Sequence, residues 1–581
     1  MLKNLKNVWV LLSKKNQNYF IIVLFFSIIS SLLEVLSIGM IVPVLGFILD
    51  PISLKNFFFY ENVFKILGNL DRVLFTIYAI IFLIFVFLVK NLFLSYFSWF
   101  QIFYINNIRT ELSKKLYNLY LNLPFTFHLK NNSTILFRNV DYEILNVSQT
   151  VQKVITLIIE VLVFTSLVTF LLFYEFQATL ISLIFIFSIG VIFYFIMRMK
   201  LKLWGKKRQF HSGEFLKHLF HGIHSIKDVK MLNRQNSFLN LFHTNQREAI
   251  KFSRFEYLTT TLTKYWLEFI SILGLGIFVS YMTLINKPGS EIIIILGLFG
   301  AAIYRLAPSA NRILTSLNSI QFLSPSVTVI KNEFEKISKH NFDDIKKVEI
   351  LNFLDSVKFE NLNYRYPGSN AYILKDSGFD IKKNSITGFY GKSGSGKTTA
   401  INIICNLLEP ETGHILVDGK KFAFNSDKWK LDIGYVSQST ALIDDTLEKN
   451  IAFGIPEKDI NNKNLEKCIK ISKVDSFINT LPYGLKTRIG EKGTRLSGGQ
   501  QQRVGIARAL YNNPKILIID EGTNSLDDKT EREILDEIKS LKKVLSIVII
   551  SHDMDIIKTY SDHLFELSNK KINKINFNAK N

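Results

Sequence analysis

Gly391-Lys392-Ser393-Gly394-Ser395-Gly396-Lys397-Thr398 follows the apolar run Ser385-Ile386-Thr387-Gly388-Phe389-Tyr390 and opens a second apolar-periodic segment, Thr399 to Leu408. It satisfies G-x-x-x-x-G-K-[ST] without a mismatch, so the stretch predicts a strand, a glycine-rich turn and a helix. Glycines let the backbone N–H groups converge on a small anion, and the helix start adds the positive end of its dipole. A triphosphate suits such a cradle. Lys397 then holds the outer phosphates and Thr398 offers its hydroxyl to Mg²⁺.

The 581-residue chain is too long for one core. Its 48% apolar and 13% aromatic content crowds Phe, Ile and Leu into the first 325 positions, which divides it into a membrane half, 1–325, a linker, 326–356, and a soluble half, 357–581. The two cysteines, Cys405 and Cys468, lack ligand-like spacing and read as small buried apolar residues.

Met1 to Asn18 carries Lys3, Lys6, Lys14 and Lys15 and runs directly into Tyr19 to Leu49, which is too long for a signal-peptide core and predicts a retained first span. Five more apolar stretches follow: Arg72 to Phe100, Val151 to Tyr174, Ala178 to Met197, Tyr265 to Ile285, and the borderline Ile292 to Ala307. Six crossings place both chain ends on one side. The connections Gln101 to Thr150 and Arg198 to Lys264 are rich in Lys and Arg, whereas Asp50 to Asp71, Glu175 to Gln177 and Asn286 to Glu291 are short and nearly balanced. Positive charge marks the cytoplasmic face. The net charge of +21 is therefore mostly topological, and with no reading module beside it we expect no nucleic-acid partner.

Apolar residues at three and four spacing continue through both long basic loops, predicting helices that run well past the bilayer. Breaks at Asn131-Asn132-Ser133 and at Gly222 to Asp228 predict short transverse helices at their tips. Asn56-Phe57-Phe58-Phe59-Tyr60 with Val63, Phe64 and Leu67 reads as an amphipathic helix at the outer interface, against lipid or against its neighbours. Ionisable residues inside hydrocarbon face a cavity or a partner. Among them, Arg305 and Arg312 stand seven apart, about 10 Å along one helix face, with Pro308 between them to bend it. Guanidinium groups suit a phosphorylated or pyrophosphorylated substrate. The alternative is that Arg312 already lies in a cytoplasmic extension and that Arg305 pairs with Glu160 or Glu268.

In the soluble half, Tyr366 precedes the phosphate loop by some 25 residues and offers a face for a purine. Ile516-Leu517-Ile518-Ile519-Asp520-Glu521 describes a buried strand delivering Asp520 toward Mg²⁺ and Glu521 as general base toward water. Gln438 ligates the metal or orients that water, and His552 donates to the γ-phosphate. Ser497-Gly498-Gly499 sets a hydroxyl and bare N–H groups at a helix start, a second anion cradle far from the first.

The ordered set from Tyr366 to His552 resembles the nucleotide-binding domain of the ATP-binding cassette family, and Leu496-Ser497-Gly498-Gly499-Gln500 separates it from other phosphate-loop ATPases. With six membrane helices in front, the chain resembles an exporter-type half-transporter. The implied fold is an all-α six-helix transmembrane domain fused to an α/β P-loop ATPase domain. The resemblance implies a homodimer, or a heterodimer with a similar chain, sandwiching two ATP molecules with Mg²⁺. Ser497 and Gly499 of one subunit then close over the triphosphate held by Gly394, Gly396, Lys397 and Thr398 of the other, with Tyr366, Gly391, Ser393, Ser395, Thr399, Gly498, Gln500 and Asp527 as further nucleotide-binding positions. It also implies that the loop tips near Asn132 and Gly222 are coupling helices, with the segment around Gln438 in their socket. Gly522 stands where alanine is commoner in the family, and Asp553 where arginine is commoner. Ala302 to Ile313 is similar to the sixth-helix segment of bacterial lipid-linked oligosaccharide flippases of protein N-glycosylation, which move a polyprenyl-pyrophosphate glycan outward across the inner membrane. That resemblance implies a multi-pass protein of the bacterial inner membrane, its N-terminus and ATPase cytoplasmic. Export of lipid A, drugs or peptides, or a non-transporting ATPase gate, are the other readings.

Overall fold

The computed structural model describes residues 2–40, 72–174, 176–284, 289–338, 353–422, 432–521 and 527–575. The predicted outer-face helix within Asp50 to Asp71 and the position Gly522 lie outside them, as does the side chain of Arg305. The chain forms two compact units: Met1–Leu123 with Lys130–His340, and Pro124–Leu129 with Asn341–Asn581.

The first unit is helical. A short α1 (Leu2–Leu11) precedes α2 (Lys14–Gly39), whose Ser13 N-cap accepts from the Asn16 N–H. Then come α3 (Arg72–Asn122), α5 (Ser133–Arg138), α6 (Ile144–Tyr174), α7 (Phe176–His224), α8 (Ile226–Met231), α9 (Gln235–Leu284) and α10 (Gly289–Ser338). A 51-residue helix such as α3 is about 76 Å long, more than twice the hydrocarbon thickness of about 30 Å. Among the described residues five helices are long and apolar enough to cross a membrane. The expected fourth span, Ala178 to Met197, lies in α7, many of its side chains outside the described residues. The expected sixth belongs to α10, which runs unbroken through Pro308 and Pro325 to Ser338, so the stretch read as linker begins as helix.

Two details differ from the sequence reading. A short helix, α4 (Phe125–Lys130), sits before the Asn131-Asn132 break, where the transverse helix was expected to follow, and after Leu123-Pro124. It belongs to the second unit, where Phe125 packs on the apolar cluster under the first sheet. Between α5 and α6 the backbone is a π-helix, Asn139–Glu143, which sequence periodicity did not signal. Glu143 there is fully buried, 3.4 Å from Arg138 Nε and accepting from Gln209 Nε2 at 2.9 Å.

The second unit carries two sheets. The first, in order β2-β1-β4-β5, is antiparallel: β1 Ser356–Tyr364, β2 Leu374–Lys382, β4 Thr412–Val417, β5 Lys420–Phe422. It is closed at one end by Asp418, whose carboxylate accepts from the N–H groups of Leu354, Asp355 and Ser356 at 2.6, 2.7 and 3.0 Å. Desolvation raises that carboxyl, but the three N–H groups outweigh it and hold the group below its usual range. A depressed carboxylate stabilises the fold above its unfolded pKa, and that contribution is lost as pH falls through the folded value. We expect Asp418→Ala to cost about 1–3 kcal/mol at neutral pH, read as a lowered melting temperature of the ATPase unit, with the gap to wild type closing in acid.

The second sheet runs β10-β9-β3-β8-β7-β6, with β3 Ile386–Tyr390, β6 Ile433–Val436, β7 Ile516–Asp520, β8 Ser546–Ser551, β9 His563–Ser568 and β10 Lys571–Ile575. All neighbours except β9 and β10 are parallel. Every residue of β7 and β8 is buried, as a parallel strand covered on both faces must be. Cys405 and Cys468 are buried, burial pushing both thiols up to about 12.

Candidate active site

Strands β3, β8, β7 and β6 lie side by side and parallel, so their carboxyl ends open onto one edge, where ligands of open α/β sheets bind. Each end delivers one of the predicted groups: β3 the loop from Gly391, β8 His552, β7 Asp520 and Glu521, and β6 Gln438. Residues more than 150 positions apart thus converge because the strand order places them together.

The loop turns into α11 (Lys397–Ile404) through Gly394 and Gly396, at φ +79° and +104°, values that favour glycine. A Cβ on Gly391 would stand 2.6 Å from Ser395 Oγ and 2.9 Å from the Leu567 carbonyl. The first N–H groups of α11 lack intrahelical acceptors, and Ser395 Oγ is buried without a hydrogen-bond partner. Bare donors around a close-packed glycine turn fit phosphate oxygens. Lys397 Nζ donates to the Gly391 carbonyl at 2.6 Å, which holds the ammonium over the turn.

Glu521 is the hub. Its carboxylate lies 3.7 Å from Lys397 Nζ, accepts from Gln438 Nε2 at 2.9 Å and stands 3.6 Å from His552 Nδ1. The residue sits at φ +48°, a left-handed conformation costly for a side chain with a Cβ, and its N–H donates to Ile550 O at 2.9 Å. That turn swings the carboxylate off the end of β7 toward the neighbouring loops. Asp520, just before it, is buried; desolvation pushes its carboxyl above the usual range, against a hydrogen bond from Tyr435 OH at 3.2 Å. A carboxylate short of counter-charge is suited to a divalent cation. Tyr435 was missed from sequence; its only signal is an aromatic residue three places before Gln438.

The remaining predicted residues are placed as follows. Thr398 is exposed beside Lys397 and free to face a cation, while Thr399 is buried, its hydroxyl 3.2 Å from Tyr366 OH. Tyr366 meets Tyr364 edge-on at 5.3 Å, so its ring is anchored at the loop's flank. Ser393 is exposed on the turn. Ser497 caps α12 (Gly498–Tyr511) in a capping box with Gln500, and Ser497 and Gly498 are exposed. Asp527 caps α13 (Asp528–Ser540), the Thr530 N–H lowering its carboxyl pKa. Among the described residues no hydrogen bond or ion pair joins Ser497–Gln500 to the loop at 391–399. The unusual Asp553 caps the helix Met554–Tyr560, accepting from the N–H of Asp555 at 2.8 Å.

In the helical unit, Arg312 Nε is 2.5 Å from Glu160 Oε1, and Ser309 Oγ donates to Glu160 Oε2 at 2.7 Å. The Arg312 side chain stays 42% exposed, so one edge of the guanidinium is engaged and another is accessible. Lys90 Nζ stands 3.7 Å from Glu34, both buried. Glu268 is 3.9 Å from Lys264 in an exposed pair.

Comparison with known proteins agrees with this division. Residues 20–300 match the model of the ABC transporter transmembrane region and residues 374–524 that of the ABC transporter. The ATP-dependent lipid A-core flippase of Cupriavidus metallidurans is 26% identical over 78% of this chain and 76% of its own length. The chain spans less than half the length of several other curated relatives it matches, among them ABC transporter B family member 13 of Arabidopsis thaliana, 31% identical over 41% of this chain and 20% of that protein. The fold is shared with a bacterial Atm1-family ABC exporter solved with ATP bound, at TM-score 0.74 and 20% identity over 94% of each chain.

Proposed function

This chain belongs to the ABC transporter family, a membrane region and its ATPase on one polypeptide, and from that premise we propose that it is an ATP-driven exporter which moves a phosphorylated lipid outward. The convergence of Lys397, Gln438 and His552 on Glu521 carries the reading, because four separate motifs meet at one carboxylate. ATP with Mg²⁺ supplies the phosphoanhydride bond whose cleavage drives the cycle. Lys397 and the loop N–H groups hold the phosphates, Thr398, Gln438 and Asp520 face the cation, and Tyr366 flanks the base. Glu521 accepts the proton of the attacking water and His552 steadies the γ-phosphate oxygens. Ser497, Gly498, Gly499 and Gln500, with Asp527, act on the opposite copy, so the working unit is a homodimer, or a pair with a similar chain. Binding that closes the pair favours one membrane conformation, and hydrolysis releases it.

For the substrate we propose a polyprenyl-pyrophosphate-linked oligosaccharide carried from the cytoplasmic to the outer leaflet of a bacterial inner membrane, with Arg305 and Arg312 as phosphate contacts. The partly exposed Arg312 supports this. A lipid A-type substrate is the second reading, favoured by the flippase relative; both carry phosphate on a lipid. Reconstitution in liposomes with each lipid tests the choice. Arg305→Ala with Arg312→Ala is expected to abolish ATP-dependent translocation of the pyrophosphate-linked glycan. Equal transport by the double variant overturns the substrate assignment and leaves the ATPase assignment standing.

A further inference from the structure

The helical unit holds an open cleft of about 660 Å³, walled by α6, α7, α9 and α10, with neither Arg312 nor Glu160 among its lining residues. Arg208 of α7 lines it, although the residue is only 6% exposed. Its guanidinium is fixed over the Phe322 ring at 4.9 Å and near that of Tyr142 at 5.7 Å. Nη1 reaches Asn146 Oδ1 at 3.5 Å, while Nε and Nη2 are buried with no hydrogen-bond partner. Guanidinium stays charged and carries five N–H donors, and a buried charge without acceptors is costly.

The neighbouring groups satisfy it only in part. Glu256 of α9, the one carboxylate among the cleft's described wall residues, feels the charges of both Arg208 and Lys153 but is not within ion-pair distance of Arg208, and it accepts from Ser319 Oγ at 3.0 Å. Lys153 of α6 and Lys264 of α9 face the same cleft, so three cations stand against one carboxylate. Lys264 lies in a loose 3.9 Å pair with Glu268, so Lys153 and Arg208 share the single charge of Glu256 and remain one negative charge short of balance. Arg208 lies 32 residues into α7, about 48 Å along the helix, beyond a hydrocarbon layer of about 30 Å. The Asn311 wall of the cleft adjoins Arg312.

We propose that this cleft is an anion subsite for a phosphate or diphosphate group, with Arg208 and Lys153 as its ligands, where a phosphorylated lipid headgroup is held at the inner face before it reaches Arg312. The anion site stands on the cleft itself, and only the headgroup's role rests on the export reading above.

The test uses the full-length protein in phosphatidylcholine nanodiscs with saturating Mg-ADP, so that the glycine-rich loop is filled. Two probes are titrated, inorganic pyrophosphate in solution and farnesyl pyrophosphate in the bilayer. Wild type is expected to bind, and Arg208→Gln and Lys153→Gln each to weaken binding about tenfold or more, with Arg208→Lys recovering part of the loss. Retained Mg-ADP binding reports a folded variant, and Lys153→Gln carries the test if Arg208→Gln does not fold. Binding of the lipid probe supports a headgroup site. Binding of inorganic pyrophosphate alone supports the subsite and counts against the lipid-export reading. Unchanged affinity in both glutamine variants, or a wild type that binds neither probe, overturns the proposal.

Discussion

Glu521→Gln is expected to lower the single-turnover rate of ATP hydrolysis by about 10²–10⁴-fold, the range for loss of a positioned general base, while ATP still binds. Glutamine keeps the size of the side chain and an oxygen for Gln438 Nε2, now 2.9 Å from the carboxylate, but it cannot take a proton from water. The charge also vanishes beside Lys397 and His552, 3.7 and 3.6 Å away. Lys397 is then left more available to phosphate, so nucleotide affinity holds or rises. Hydrolysis at the wild-type rate would remove Glu521 from the role of base and leave the phosphate cradle intact.

Lys397→Ala is expected to fail at an earlier step. The ammonium contributes a charge-assisted contact to phosphate of about 1.5–3 kcal/mol, so ATP affinity should fall about ten- to a hundredfold, and turnover at saturating ATP should fall as well. Its hydrogen bond to the Gly391 carbonyl at 2.6 Å also steadies the glycine turn, which alanine cannot do. Equilibrium binding of a fluorescent nucleotide separates this variant from Glu521→Gln: the first loses affinity and the second loses rate. Wild-type affinity in Lys397→Ala would mean that the loop N–H groups alone hold the phosphates.

The phosphate loop, the strand ending in Asp520 and the start of α12 were legible because each is written in contiguous residues whose backbone geometry follows from glycine content or apolar runs. Their meeting was not. Gln438, His552 and Glu521 come together through the order β3-β8-β7-β6, which no local pattern encodes. The left-handed turn at Glu521 and the hydroxyl of Tyr435 on Asp520 are likewise products of packing. In the helical unit, hydropathy pointed to long helices but not to their ends, because α3, α7, α9 and α10 continue as helix after their apolar stretch stops. The π-helix at Asn139–Glu143 and the buried Arg208 depend on neighbours far along the chain, and Arg208 looked in sequence like one more positive loop residue. Pro308, expected to bend its helix, stands inside α10, which continues as helix on both sides of it.

On the proposed reading, one chain supplies the phosphate cradle and its partner the cap at Ser497. Hybrid dimers, purified with two tags from Lys397→Ala and Ser497→Arg subunits, separate this arrangement from one in which each chain completes its own site. Each parent dimer should be inert, because both of its sites carry a defect. In the hybrid the two lesions fall on the same shared site and the other is whole, so ATP hydrolysis should return to about the level of a single site. A hybrid as inert as its parents, beside an active wild-type dimer carrying the same tags, would contradict the sharing of sites between chains.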